Sequence, residues 1–366
     1  MFDFKRALES ALQTHPDDEL TPLATPWDES LDTSAVLQEY PRPQMRRESY
    51  ANLNGWWECT IRADQHEGDE EEPVYSGKIL VPFSPEAPLS GVGHQLKPHE
   101  TIWYRRSVSM FKQPGKRYLL HFGAVDFECE CIVNGYAVGR HRGGYTPFTF
   151  DITDALLSLG TSESVATIDI AVRDPSETGG QPRGKQRLER GSIWYTAQSG
   201  IWQTVWMEEV CDPYIEKLGL RCDGGTLYAR VHVAGTPDDT ERTLSIDVFD
   251  EGELVASAST SVQGAGPHDI EVTVDDPHLW SPDDPHLYDL GISYGEDAVG
   301  SYCAFRSFTI ERVKDASRPV FCCNHEPLFL KGVLDQGYWP DGLLTAPSDE
   351  ALLHDIEMAR ELGFNM

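Results

Sequence analysis

From Asn52 to Val313 the sequence runs through short β-branched and aromatic segments with turn residues between them and no helical stretch to interrupt them. WWECTIRA, KILVPF, TIWYRRSVSM, KRYLLHFGAV, TIDIAVRD and IWQTVWMEEV are of this kind. Inside ECECIVNGYAVGRHR, apolar and polar positions alternate around Asn134-Gly135, a dipeptide that tolerates the positive φ angles of a tight hairpin. Strands that follow one another without helices must bury their apolar faces against a second sheet. The pattern therefore predicts a jelly-roll β-sandwich over residues 49–211.

Near Cys211-Asp212-Pro213 the texture changes. TLYARVHVAG, TLSIDVFD, ELVASASTSV, HDIEVTV and LYDLGISY follow at short, regular spacing, which predicts a second, immunoglobulin-like β-sandwich over 212–312. The near-repeat DDPHLWSPDDPHLY is read as one irregular connection anchored by Trp280 and Tyr288, its prolines stopping ladder formation.

After Val313, PVFCCN and the nearly all-apolar PLFLKGVL read as strand pieces. APSDEALLHDIEMARELGF reads as a helix. Ser348 caps its first turn, Asp349 and Glu350 sit where the dipole favours negative charge, and Gly363 supplies the left-handed stop. Leu352, Ile356, Ala359 and Leu362 recur at helical spacing, which predicts one buried face. Strand, helix and the start of a strand at Phe364 make one βα unit over 313–366. Residues 1–48 read as a leader: a short amphipathic helix, then a polar segment punctuated by proline.

Thirty basic residues face sixty acidic ones, a formal charge of −30, thickened in DQHEGDEEEP from Asp64 to Pro73. Such a surface repels phosphate backbones and anionic lipid, so neither nucleic acid nor membrane is expected as a partner. No signal-peptide core opens the chain and no eighteen apolar residues run together, which predicts a cytoplasmic protein. The eight cysteines include no C-x-x-C pair and are read as buried thiols, with no metal and no cofactor expected. GGQPRGKQ nearly spells a phosphate-binding loop, but Gln186 stands where magnesium needs a hydroxyl. GVGHQL begins like a dinucleotide fingerprint, but Leu96 replaces the third glycine.

Three stretches, in order, resemble glycoside hydrolase family 2. VNGYAVGRHRGGYTPFTFDIT is similar to its sugar-binding domain, QPRGKQRLERGSIWYTAQSGIWQTVWMEEV to the segment closing that domain, and FLKGVLDQGYWPDGLLTAPSDEALLHDIEMARELGFNM to the opening of its catalytic barrel. The resemblance implies a β-glycoside substrate and a jelly roll, an immunoglobulin-like domain and a (β/α)₈ barrel carrying two catalytic glutamates. A barrel needs on the order of 250 residues, and the 46 from Phe321 to Met366 hold only its first βα unit. The retaining mechanism the resemblance implies needs two carboxyl groups about 5–5.5 Å apart. Both glutamates are expected beyond Met366, so none of these residues is assigned a catalytic role and the chain alone is expected to be inactive.

Substrate-lining residues are expected in LDQGYWPDG, just after the first barrel strand: Asp335 and Asp341 as acceptors for sugar hydroxyls, Tyr338 and Trp339 as apolar faces. The other reading of that loop is structural, with Trp339 packed on the sandwiches and Asp335 bonded to backbone. In galactosidases and glucuronidases of the family an aspartate from the first domain reaches the sugar, and Trp194 occupies its position here; it stacks either on substrate or on the SGIW turn. Arg306 falls where the family has an arginine, and charged hydrogen bonds to the barrel are its expected work. Two alternatives remain open: a carbohydrate-binding module, and one half of a split glycosidase completed by a C-terminal barrel chain.

Overall fold

The computed structural model describes residues 23–63, 72–156, 164–313 and 317–366. The leader helix and most of the acidic run from Asp64 lie outside the described residues. The protein is mainly β, built from several antiparallel sheets and closed by one carboxy-terminal helix.

Two sheets enclose the first core. One has six strands in the order Gly77–Val81, Gly55–Ala63, Glu100–Met110, Ser164–Arg173, Glu128–Val133 and Tyr136–Arg142. The other has four: Tyr50–Asn52, Val205–Cys211, Lys116–Phe122 and Phe148–Asp151. Trp57, Ile102, Tyr104 and Ile170 from the first meet Leu120, Phe122, Val205 and Met207 from the second, all buried. Truncating Trp57 or Phe122 to alanine is expected to cost on the order of 3–5 kcal/mol. The hairpin forms at Asn134-Gly135, with φ of 51° and 81°. Cys129 and Cys131 point into the core from one strand face.

A second core lies between a three-stranded sheet and a four-stranded one. The first is Tyr214–Asp223, Thr226–Ala234 and Gly266–Thr273; the second is Glu253–Gln263, Glu241–Asp250, Tyr288–Tyr294 and Asp297–Cys303. Leu227 and Val231 pack against Ile246, Val248, Leu290 and Ile292. Buried and exposed positions alternate along Thr226–Ala234, as a strand with one wet face requires. Tyr288 is buried and hydrogen-bonded to the His278 amide, so it anchors the proline-rich connection. Arg306 lies 4.2 Å over the Trp280 ring and 5.1 Å over Phe308, and its charge meets aromatic faces.

Beyond Phe305 the structure departs from the sequence expectation. Val320–Cys323 pairs antiparallel with Phe308–Glu311 and turns back through Asn324-His325 onto Glu326–Pro327. Residues 328–338 form no ladder, and Phe329 and Leu334 are exposed. Two backbone hydrogen bonds, Asn365 N to Lys331 O at 3.0 Å and Val333 N to Met366 O at 3.1 Å, lay the last residues beside this segment. The helix spans Asp349–Glu361; Ser348 Oγ accepts from the Ala351 amide at 3.2 Å, and Gly363 takes φ +85°. Its apolar face is not buried: Leu352, Ile356 and Leu362 are exposed, and only Ala351 is buried. Periodicity is a property of the helix, whereas burial needs a surface to pack on.

The leader is packed from Leu23 onward far more closely than its polar composition suggests. Val36 joins Leu80, Phe83, Leu89 and Leu343 in a small core, and Asn54 Nδ2 donates to the Val36 and Leu37 carbonyls. Tyr40, Arg42 and Arg47 reach Glu208, which is 1% exposed. Arg42 Nη2 donates to both its oxygens at 2.9 Å, Arg47 Nε lies 3.3 Å from Oε2, and the Tyr40 hydroxyl donates to Oε1. Arg47 also donates to both oxygens of Asp297 at 2.7 and 3.0 Å, so one arginine joins leader, first core and second core. Among the described residues no helix is long and apolar enough to cross a membrane.

Candidate functional site

A cleft of about 1990 Å³ opens where the first β-unit, the 333–346 loop and the helix meet. Tyr145 and Trp202 line it from the β-unit; Asp335, Tyr338 and Trp339 line it from the loop. The loop is held to the β-unit by side chains. Tyr338 stacks face to face on Tyr195, with centroids 3.9 Å apart and planes within 7°. The Tyr195 hydroxyl donates to Gln336 Oε1 at 3.1 Å, and Thr345 Oγ1 donates to the Trp202 carbonyl at 2.6 Å.

The five expected site residues fall in different places. Asp335 is exposed and accepts from the Gly337 amide at 2.8 Å, which closes a local turn. Trp339 meets Trp27 edge to face at 6.0 Å, so the leader supplies its packing partner. Asp341 is buried at 1% exposure: Oδ2 accepts from the Thr25 amide at 2.8 Å and hydroxyl at 2.6 Å, while Oδ1 has no partner among the described residues. Trp194 carries the Arg187 guanidinium 3.9 Å over its ring. Asp335, Tyr338 and Trp339 thus share the cleft, whereas Asp341 and Trp194 are not part of its lining.

The structure adds a group of residues that pattern reading missed. Asp126 sits beneath the Gly143-Gly144-Tyr145 turn with 3% exposure. A Cβ on Gly144 would lie 2.3 Å from Asp126 Oδ1, so only glycine lets the turn close over the carboxyl. Trp202 Nε1 donates to the Gly144 carbonyl at 2.8 Å, and Tyr145 meets the Trp202 ring edge-on at 5.9 Å. Gln186, the residue that spoiled the phosphate-loop motif, donates to the Tyr145 hydroxyl at 2.9 Å. Its own oxygen accepts from the Gln198 amide at 2.7 Å. The paired glycines before Tyr145 were the one available signal, since close backbone approach is a reason for glycine.

Three buried carboxyls gather here. Burial, then the charges of Asp174 and Glu86, pushes Asp126 up to about 8. Burial also pushes Glu86 up to about 8, against hydrogen bonds from Ser199 and the Leu96 amide that favour its ionised form. Asp174 rises to about 6 through burial, opposed by the Ser176 amide. Tyr338 is pushed up to about 12 by burial, then by Tyr195 and Asp126, and Tyr145 is raised by burial and by Asp126. Asp126 is therefore felt by both tyrosines of the cleft.

Comparison with known proteins points to one family. The model of the glycosyl hydrolases family 2 matches residues 218–306. A β-galactosidase of Thermoanaerobacter pseudethanolicus is 26% identical over 272 residues, covering 72% of this chain and 35% of that protein. A crystal structure of a glycosyl hydrolase family 2 member from Bacteroides cellulosilyticus superposes with TM-score 0.66 at 21% identity, over 86% of this chain and 44% of the other. Bacteroides uniformis β-glucuronidase gives 0.64 at 22%, over 86% and 38%. The chain is a relative of the family 2 glycosyl hydrolases. It spans about a third of the length of the curated relatives it matches first.

Proposed function

We propose that these 366 residues form the sugar-binding part and barrel opening of a retaining family 2 glycoside hydrolase acting on β-glycosides. In this reading residues 49–211 are the jelly-roll domain, 212–312 the immunoglobulin-like domain and 313–366 the first unit of the (β/α)₈ barrel. The observation that carries it is the apolar wall of the cleft and its surroundings, left uncovered among the described residues. Phe329, Leu334, Leu352, Ile356 and Leu362 lie on two adjoining segments and face solvent together. An apolar surface of this kind marks a contact with further protein. Further barrel strands, from the same chain or a second one, cover it in the working enzyme and bring the acid pair.

Within the cleft, Tyr338 and Trp339 offer aromatic faces and Asp335 an acceptor, the groups a sugar ring and its hydroxyls take. Asp335 is exposed and bonded only to backbone, so it is assigned no acid–base role. The 366-residue chain is accordingly expected to leave chromogenic β-glycosides intact. Turnover that co-purifies with the chain and vanishes in Asp335→Asn would overturn this assignment.

A further inference from the structure

The protein carries two acids for every base, yet one loop reverses that balance. Between Gln181 and Trp194 stand Arg183, Lys185, Arg187 and Arg190 against a single acid, Glu189. We infer that the exposed cations of this loop, Lys185, Arg187 and Arg190, form a rim beside the cleft that binds the carboxylate or sulfate groups of an anionic β-linked polysaccharide. The inference rests on the glycosidase reading above and narrows its substrate class.

Several arginines elsewhere are neutralised. Arg105, Arg140, Arg142, Arg230 and Arg242 each pair with a carboxylate at 3.0 Å or less. In the loop the contacts are with neutral groups. The Arg187 guanidinium lies 3.9 Å over the Trp194 ring, and Arg190 Nη1 donates to Thr196 Oγ1 at 3.0 Å. Among the described residues no carboxylate forms an ion pair with either arginine or with Lys185. Arg183 is half-buried, and its charge reaches Asp174 instead.

The backbone sets where these charges stand. Arg187 and Thr196 are cross-strand partners, and Gly191 and Trp194 bridge to close the loop. Trp194 and Thr196 are two positions apart on an extended segment, so they share a face, and each holds one guanidinium there. Tyr195, between them, points the other way and stacks on Tyr338 of the cleft lining. One segment thus gives an aromatic ring to the cleft and two arginine heads to the outer side of its rim. An indole beneath a guanidinium fixes its plane and leaves the N–H edge open, the geometry that grips a carboxylate or a sulfate.

The rest of the surface decides which anion can approach. A nucleic acid or an acidic protein would lay a broad footprint on a molecule of formal charge −30. A polysaccharide with sugars in the cleft need only place an anion where the chain passes over the 187–196 segment. Distant acids are screened beyond about 8 Å at physiological salt, so the three cations at contact dominate.

Affinity electrophoresis of the 366-residue chain tests this with three polymers of one β-linked glucose backbone: hydroxyethyl cellulose, carboxymethyl cellulose and cellulose sulfate. The anionic polymers are expected to bind at least about ten-fold tighter than the neutral one, and their order tells carboxylate from sulfate. Combining Lys185→Gln, Arg187→Gln and Arg190→Gln should shrink the gap to within about three-fold in a chain that stays folded, since all three side chains are exposed. The same change at exposed Lys217 should leave the gap intact. On the parent chain, with no variant needed, raising salt from about 20 mM to about 200 mM should close most of it. The proposal falls if the anionic polymers bind no better than the neutral one, if the gap survives in the folded triple variant, if poly-L-glutamate competes as well as carboxymethyl cellulose, or if no polymer binds. These readouts do not depend on turnover, so hydrolysis by the chain would sink the earlier assignment and leave this one standing.

Discussion

Glu208 and Asp126 are both carboxylates buried in the first β-unit, with 1% and 3% exposure, and they behave oppositely. Burial alone would push both upward. At Glu208 this is overcome by His121, whose Nε2 lies 3.3 Å from Oε2, the Arg42 charge and the Tyr40 hydroxyl, which together hold it down at about 2. At Asp126 the neighbours are Asp174 and Glu86, and it rises to about 8. The first site is closed, its carboxylate bound by groups from three parts of the chain. The second has an acceptor and no donor. Paired buried charge holds this molecule together, whereas the unpaired carboxyl of Asp126 is kept protonated by its surroundings.

The largest test of that contrast is Glu208→Ala. It removes the carboxylate partner of Arg42 and leaves Arg47 to Asp297 alone, so a loss on the order of 3 kcal/mol is expected in urea unfolding. A loss below about 1 kcal/mol would show that the leader is not fastened there. Asp126→Asn should leave neutral-pH stability at or above the parent, because it removes an unpaired acid and keeps its shape.

Next comes pH. Glu208 titrates near 4.5 unfolded and about 2 folded, so its contribution, on the order of 3 kcal/mol, is complete above about pH 4.5 and is lost as pH falls toward 2. Asp126 and Glu86 have folded values raised to about 8, so the folded state binds the extra protons and stability declines as pH rises from about 4 to about 8. Thermal melts should therefore weaken at both ends. Asp126→Asn should flatten the alkaline limb only, and a change in the acid limb would contradict the division of roles.

Asp341 lies between the two cases, with one oxygen held by Thr25 and the other without a partner. Asp341→Ala is expected to cost about 1–3 kcal/mol and to shift tryptophan fluorescence as Trp27 and Trp339 loosen. The smallest effect belongs to Asp335→Ala. An exposed aspartate bonded to its own turn should leave the melting midpoint unchanged while altering sugar affinity, and a stability loss without an affinity change would return it to a structural part.

Much of the architecture was legible because it is written in near neighbours. Alternation around Asn134-Gly135 gave the hairpin, and Ser348 with Gly363 gave both ends of the helix. PLFLKGVL misled, since its apolar run promised a buried strand, whereas only its first two residues reach Val320–Cys323 and, among the described residues, the rest meets only residues 365 and 366. Tyr338 and Trp339, singled out from their place after an apolar segment, line the cleft. Asp126 was hidden in GAVDFECEC, where it reads as one polar residue in a strand. Glu208 was hidden likewise in VWMEEV, where it reads as a solvated position.

By itself the sequence determined most strands, the capped helix and the resemblance to family 2 glycosyl hydrolases, because side-chain period, turn stereochemistry and motif order are local properties of the chain. Only the tertiary structure decided which carboxylates are charged and which residues of the leader matter. The partners that set those outcomes arrive from 166 residues away for Arg42 on Glu208, and 316 for Thr25 on Asp341. Electrostatic energy depends on distance in space and on exclusion of water, and neither is defined until the sheets have closed.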